Sequence, residues 1–124
     1  GPRPADPDRA LFLQTLIYLS NTLQTAFQQY YYPDRFADGV DACEGAQARG
    51  TRRLREVWQV IDDQIDSKTW VLGETFSAAD IYLYMLTTWL DPEAGHPDLD
   101  DFPNVARVAN AVANRDSVKK VYGL

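Results

Sequence analysis

The chain carries one thiol, Cys43, and one imidazole, His96. A base beside a thiol raises its thiolate fraction and could make it a nucleophile. Nothing in the spacing of these two residues supports such a pair. With one cysteine and one histidine, no zinc-type ligand set can be assembled either. No catalytic residue and no metal site is assigned. Cys43 falls on the apolar stripe of a helix, where a thiol is packed and inert. His96 stands in the loop Gly95-His96-Pro97 and is expected to be exposed. Arg49, Arg52, Arg53 and Arg55 form a basic run of the kind that can contact nucleic acid. Glu56, Asp62, Asp63 and Asp66 follow closely, and the run reads as a solvated helix face. Tyr30-Tyr31-Tyr32 and Trp89 offer apolar bodies with polar tips, suited to an interface and equally to ordinary packing.

The elements that must position these residues belong to one domain, 1–124. Acidic residues number 18 against 12 basic ones, a net charge of -6. That balance disfavours nucleic acid and anionic membrane surfaces as partners. No apolar run is long enough to span a bilayer. A lone cysteine makes the fold independent of disulfides, which fits a cytoplasmic protein. Gly1-Pro2-Arg3-Pro4 opens without methionine and reads as an expression scar or a cut from a longer chain.

The pattern predicts an all-α fold of four helices and a short fifth. The first helix should start at Asp6-Pro7, with Asp6 as cap, and run to about Tyr31 before Pro33 stops it. Leu13, Leu16, Ile17, Leu23, Phe27 and Tyr30 form its apolar stripe. Between Arg9 and Asp34 it has no charged residue. Surface helices usually carry charge, so this one is expected to be covered on most sides by core, partner or cleft. The second helix spans about Val40–Asp66, with Cys43, Ala46, Leu54, Val57, Trp58, Ile61 and Ile65 inward. Arg52 and Glu56 are spaced to pair, and Gly45 and Gly50 would let another backbone come close. A third helix covers about Ser77–Leu90. A fourth begins near Pro103, capped by Asp100 or Asp101, and Asp116 or Ser117 should cap a last short turn.

Phe76-Ser77-Ala78-Ala79-Asp80-Ile81 is the sharpest local signal. Ser77 is placed as N-cap and Asp80 as its reciprocal partner, a capping box. Phe76 and Ile81 are spaced to form the accompanying hydrophobic staple. From Ile81 to Leu90 there is no charge, as in a helix buried at the centre of a domain. A buried helix start must be capped from within, because water cannot reach its N–H groups.

This segment resembles the central helix start of the C-terminal domain in the cytosolic glutathione S-transferase superfamily. The residues that carry the likeness are Trp70, Leu72, Gly73, Phe76, Ser77, Ala79, Asp80 and Ile81. Tyr31-Tyr32-Pro33, Asp101-Phe102-Pro103-Asn104-Val105 and Asp116 to Val121 look like the family's other C-domain landmarks, in order. The resemblance implies a helical bundle without the thioredoxin-like domain that normally precedes it. That domain would hold the catalytic group and most glutathione contacts. This chain would supply the pocket for a small hydrophobic electrophile and contacts for a homodimer. It would need no cofactor of its own, glutathione being co-substrate of the full-length protein. Thr15, Tyr18, Thr22 and Thr25, on one side of the first helix with Leu11, are the implied pocket residues, together with Trp89. The alternative is a non-catalytic interaction module of the same fold.

Overall fold

The computed structural model describes all 124 residues. It is helical, and its one strand-like contact is an isolated antiparallel bridge between Trp70 and Gly73. The predicted all-α bundle is the fold found. Its first rod joins α1 (Arg9–Tyr18) to α2 (Gln24–Tyr31) through a π-helical turn, Leu19–Leu23. α3 (Val40–Ile65) packs chiefly on α2. α4 (Ala78–Thr87) lies beside α1, and α5 (Pro103–Ala113) packs on both α3 and α4. α6 (Asp116–Tyr122) closes the chain against α5. Leu19, Leu23 and Phe27 of the first rod meet Leu54, Trp58 and Ile65 of α3, Leu83 and Leu86 of α4, and Val105 and Val108 of α5 in one core.

The first rod starts later than its sequence suggests. Asp6 accepts instead from the N–H of Arg3 at 2.6 Å, and Asp8 takes the cap position without a side-chain bond. The expected apolar stripe also needs correction. Phe12, Leu19, Leu23, Ala26 and Phe27 are buried, whereas Leu13 is exposed and Ile17 is 58% exposed. At 100° per residue, Leu13 and Ile17 point well away from Phe12. The helix has two apolar faces, which periodicity alone merges into one.

Gly50 lets α2 and α3 meet. A Cβ there would lie 2.9 Å from Gln29 Cβ, 3.0 Å from Tyr30 N and 3.1 Å from Ala26 O. Gly45, singled out with it, faces open space. Cys43 is only half-buried, and its thiol donates to the Ala37 carbonyl at 3.3 Å. The expected Arg52–Glu56 pair is absent. Arg53 pairs with Glu56 and Arg55 with Asp101, both at 3.1 Å.

Two buried carboxylates hold the helix starts. At α4 the capping box is formed. Ser77 Oγ accepts from the Ala79 N–H at 3.2 Å, and Asp80 Oδ2 accepts from the Ser77 N–H at 2.8 Å. Asp80 Oδ1 accepts from the N–H of Val71 at 2.8 Å, which ties the preceding loop to the helix. Asp80 is 0% exposed. Burial pushes its carboxyl pKa upward, and the bonds from Val71 and Ser77 pull the other way. Phe76 packs against Trp70 and under the Arg115 guanidinium, while its expected staple partner Ile81 is 47% exposed.

At α5, neither Asp100 nor Asp101 serves as cap. Asp62 of α3 does so across the domain, accepting from the N–H groups of Asn104 at 2.8 Å and Val105 at 2.9 Å. Asp62 is therefore buried and not part of the solvated acidic face expected of it. α6 begins after Arg115 without a side-chain cap from Asp116 or Ser117.

Asp80→Ala should leave the Val71 and Ser77 N–H groups buried without acceptors and cost about 3 kcal/mol. Urea denaturation checks it, and a loss under about 0.5 kcal/mol, the worth of a surface change, would mean these donors reach water. Gly50→Ala gains helix propensity but drives a methyl into the α2 backbone. A net loss of about 1–2 kcal/mol is expected by the same measurement; a gain would show that α2 yields.

Candidate functional site

The sequence-derived pocket residues do not converge. Leu11, Thr15 and Tyr18 turn toward the end of α3 and line a crevice with Ile61, Ile65 and Leu83. Its volume is about 20 Å³, room for one water and not for an organic substrate. Thr22 and Thr25 lie further along the rod, half-buried, and the Thr25 hydroxyl donates to the Asn21 carbonyl at 2.7 Å. Trp89 stands elsewhere, just past the end of α4.

The open apolar surface lies on another side. Leu13 and Ile17 of α1 and Ile81 of α4 are exposed, and Leu16, Tyr82 and Met85 are half-buried. Tyr82 of α4 is tied to Gln24 at the start of α2, the hydroxyl donating to Gln24 Oε1 at 2.5 Å. Burial raises the Tyr82 pKa and keeps that proton in place. Neither helix carries a charge along these stretches.

Beyond the ends of α2 and α4 lies a wide groove of about 600 Å³, lined by Tyr31, Tyr32, Thr88, Trp89, Leu90 and Asp91. Tyr31 donates its hydroxyl to the Trp89 carbonyl at 2.8 Å. Burial, then the nearby Asp91 and Tyr30, raise the Tyr31 pKa. Its proton is held by that carbonyl, so Tyr31 shapes the groove and is not free to activate a thiol. Trp89 packs edge-on against Phe27 at 5.6 Å, which fixes the indole. The wall offers aromatic surface with few polar groups and suits a flat apolar ligand.

His96 underlies this wall, against expectation. It is only 4% exposed, among Phe27, Tyr30 and Tyr31, whose rings meet it edge-to-face at 5.9, 4.2 and 5.6 Å. Its Nδ1 accepts from the Asp91 N–H at 3.0 Å, which places the neutral ring's proton on Nε2. Nε2 is buried without a hydrogen-bond partner. Tyr30 adds a bond from its hydroxyl to the Ala94 carbonyl at 3.2 Å. The end of the first rod and the 88–97 segment are thus fastened by two hydrogen bonds and by the packing of His96 among the rod's rings. The triple tyrosine was the available signal for an aromatic cage, but it did not name His96 as occupant.

Comparison with known proteins identifies the architecture. The sequence pattern of the glutathione S-transferase C-terminal domain matches residues 44–111. The chain belongs to this family. It is 25% identical over 122 residues to the uncharacterized GST-like protein YncG of Escherichia coli K12, covering 98% of this chain and 57% of that protein. A glutathione transferase homolog from Sulfitobacter, solved with bound glutathione, superposes with a TM-score of 0.86 at 26% identity, over 97% of this chain and 57% of that one. A beta class glutathione S-transferase of Sphingomonas chungbukensis shares the fold, with a TM-score of 0.78 at 24% identity, over 99% of this chain and 57% of that one. This glutathione S-transferase C-terminal domain therefore spans less than two thirds of the length of these relatives. No helix in it is long and apolar enough to cross a membrane.

The His96 geometry sets a pH response. Burial lowers its pKa, opposed by Asp91, so the unfolded chain takes up the proton more readily than the folded one. Stability should be level above the unfolded value near 6.5 and decline as pH falls below it. His96→Gln should flatten that decline between about pH 5 and 7, the window clear of ordinary carboxylates. Denaturation midpoints across that range test this, and parallel profiles for both proteins would count against it.

Proposed function

We propose that this chain is the substrate-selecting half of a glutathione transferase. The observation that carries this reading is the charge-free face of α1 and α4, which leads toward the Tyr31–Trp89 groove. A surface of Leu13, Ile17 and Ile81 needs a cover, and the relatives extend well beyond this chain's length. A thioredoxin-like domain seated on that face would bring its glutathione site to the groove. The thiolate and the groups that activate it would come from that domain. No thiol lines the groove, and the one thiol of this chain, Cys43, bonds to Ala37.

The role of this chain is then to bind and orient the electrophile. Trp89 and Tyr32 present apolar faces, and holding the electrophile there would exclude water from the thiolate's path. Thr88 and Asp91 mark the polar rim. In this reading co-substrate selection falls chiefly to Trp89, and the small crevice beside Thr15 and Tyr18 has no part in it. A homodimer and a cytoplasmic setting follow from the same resemblance and belong to this reading.

Calorimetric titration of glutathione into this chain alone should show no binding, and into a protein carrying both domains should show saturation. In the two-domain protein, Trp89→Ala should raise KM for a hydrophobic electrophile by about tenfold or more and change KM for glutathione little. Saturable glutathione binding to this chain alone would overturn the division of labour. No binding to the two-domain protein would favour an interaction module of the same fold.

A further inference from the structure

We propose that the arginine groove on α3 is a binding site for a small multivalent oxyanion, a polyphosphate or a polycarboxylate. Gln29, Arg49, Arg52, Arg53 and Glu56 line a concavity of about 540 Å³ with no apolar residue in its wall. It lies at the crossing of α2 and α3. The missing Cβ of Gly50 lets Gln29 come close there, setting a neutral amide donor beside the guanidinium groups.

The charge pattern needs an explanation. The chain has six more acidic than basic side chains, and carboxylates to neutralise an arginine are abundant. The only two ion pairs use Arg53 with Glu56 and Arg55 with Asp101. Arg49 and Arg52 form no ion pair and make no hydrogen bond to the protein. Two unpaired guanidiniums one turn apart repel each other unless an anion sits between them. Guanidinium forks match carboxylate and phosphate oxygens two at a time. Glu56 already occupies Arg53, so the groove offers about two free positive charges and fits an ion bearing at least two negative ones. The site lies on α3, apart from the Tyr31–Trp89 groove, and does not depend on the transferase reading.

Titration calorimetry of the whole chain with pyrophosphate and with citrate, in low-salt buffer without competing anions, tests the proposal. Saturable one-site binding is expected with at least one of them, and acetate, a monoanion, should bind about tenfold more weakly or worse. The tighter of the two identifies the class. Arg49→Gln/Arg52→Gln should weaken binding about tenfold or more, while Lys119→Gln/Lys120→Gln, which removes two charges elsewhere, should leave it within about twofold. The Gln29 side-chain amide should shift in NMR spectra on addition of the ion. Equal weakening by the two double variants would reduce the effect to general electrostatics and overturn the site. So would the absence of saturable heat with both ions, or shifts confined to other residues.

Discussion

A helix start buried away from water leaves amide protons that only the protein can satisfy, and in this fold one carboxylate answers for the central helix. Asp80 accepts from Ser77 within its own turn and from Val71 across the loop. The second bond matters as much as the first. It fixes the 67–76 segment against α4, and so sets where α4 begins and which residues its outer side presents. Ile81 and Met85 on that side, and Trp89 beyond its end, inherit their positions from this anchor. Asp62 repeats the device at longer range, holding α5 to α3. Both carboxylates lie where burial alone would penalise charge. They are tolerable because amide protons converge on them.

The difference between these two carboxylates shows what the sequence makes legible. Asp80 is readable because its partner Ser77 lies three residues away, within the reach of a local motif. Asp62 bonds to Asn104 and Val105, some forty residues on, and no spacing rule reaches that far. In sequence it sits among Glu56, Asp63 and Asp66 and reads as one more surface charge. The cap assigned to Asp100 or Asp101 failed for the same reason. Local acceptors were in place, but a distant one was packed over the helix end.

His96 follows the same logic. A glycine and a proline beside it mark a loop, and loops are usually exposed. Burial came from the other side of the domain, where Phe27, Tyr30 and Tyr31 form a cage at the end of the first rod. The first rod itself was legible in where it ends and in its lack of charge, but not in where it starts or in its orientation. Apolar residues at positions 12, 13, 16, 17, 19 and 23 admit two faces, and only the neighbours decide between them. Phe12 and Leu19 went to the core, and Leu13 and Ile17 to the open side.

That second face also separates this domain from a self-sufficient bundle. A four-helix core needs one stripe from each helix. Here α1 and α4 carry more apolar surface than the core consumes, and α4 is tied by Tyr82 to Gln24 of α2, the continuation of the first rod. That half-buried polar tie favours one rotation of α4 against the first rod, which orders the outer face. The groove is ordered as well. Tyr31 and Trp89 are locked to each other by the hydroxyl–carbonyl bond, and Trp89 to Phe27 by ring packing. A partner docking on α1 and α4 would meet a preformed wall, and the affinity of an apolar ligand for that wall would not be spent on ordering it.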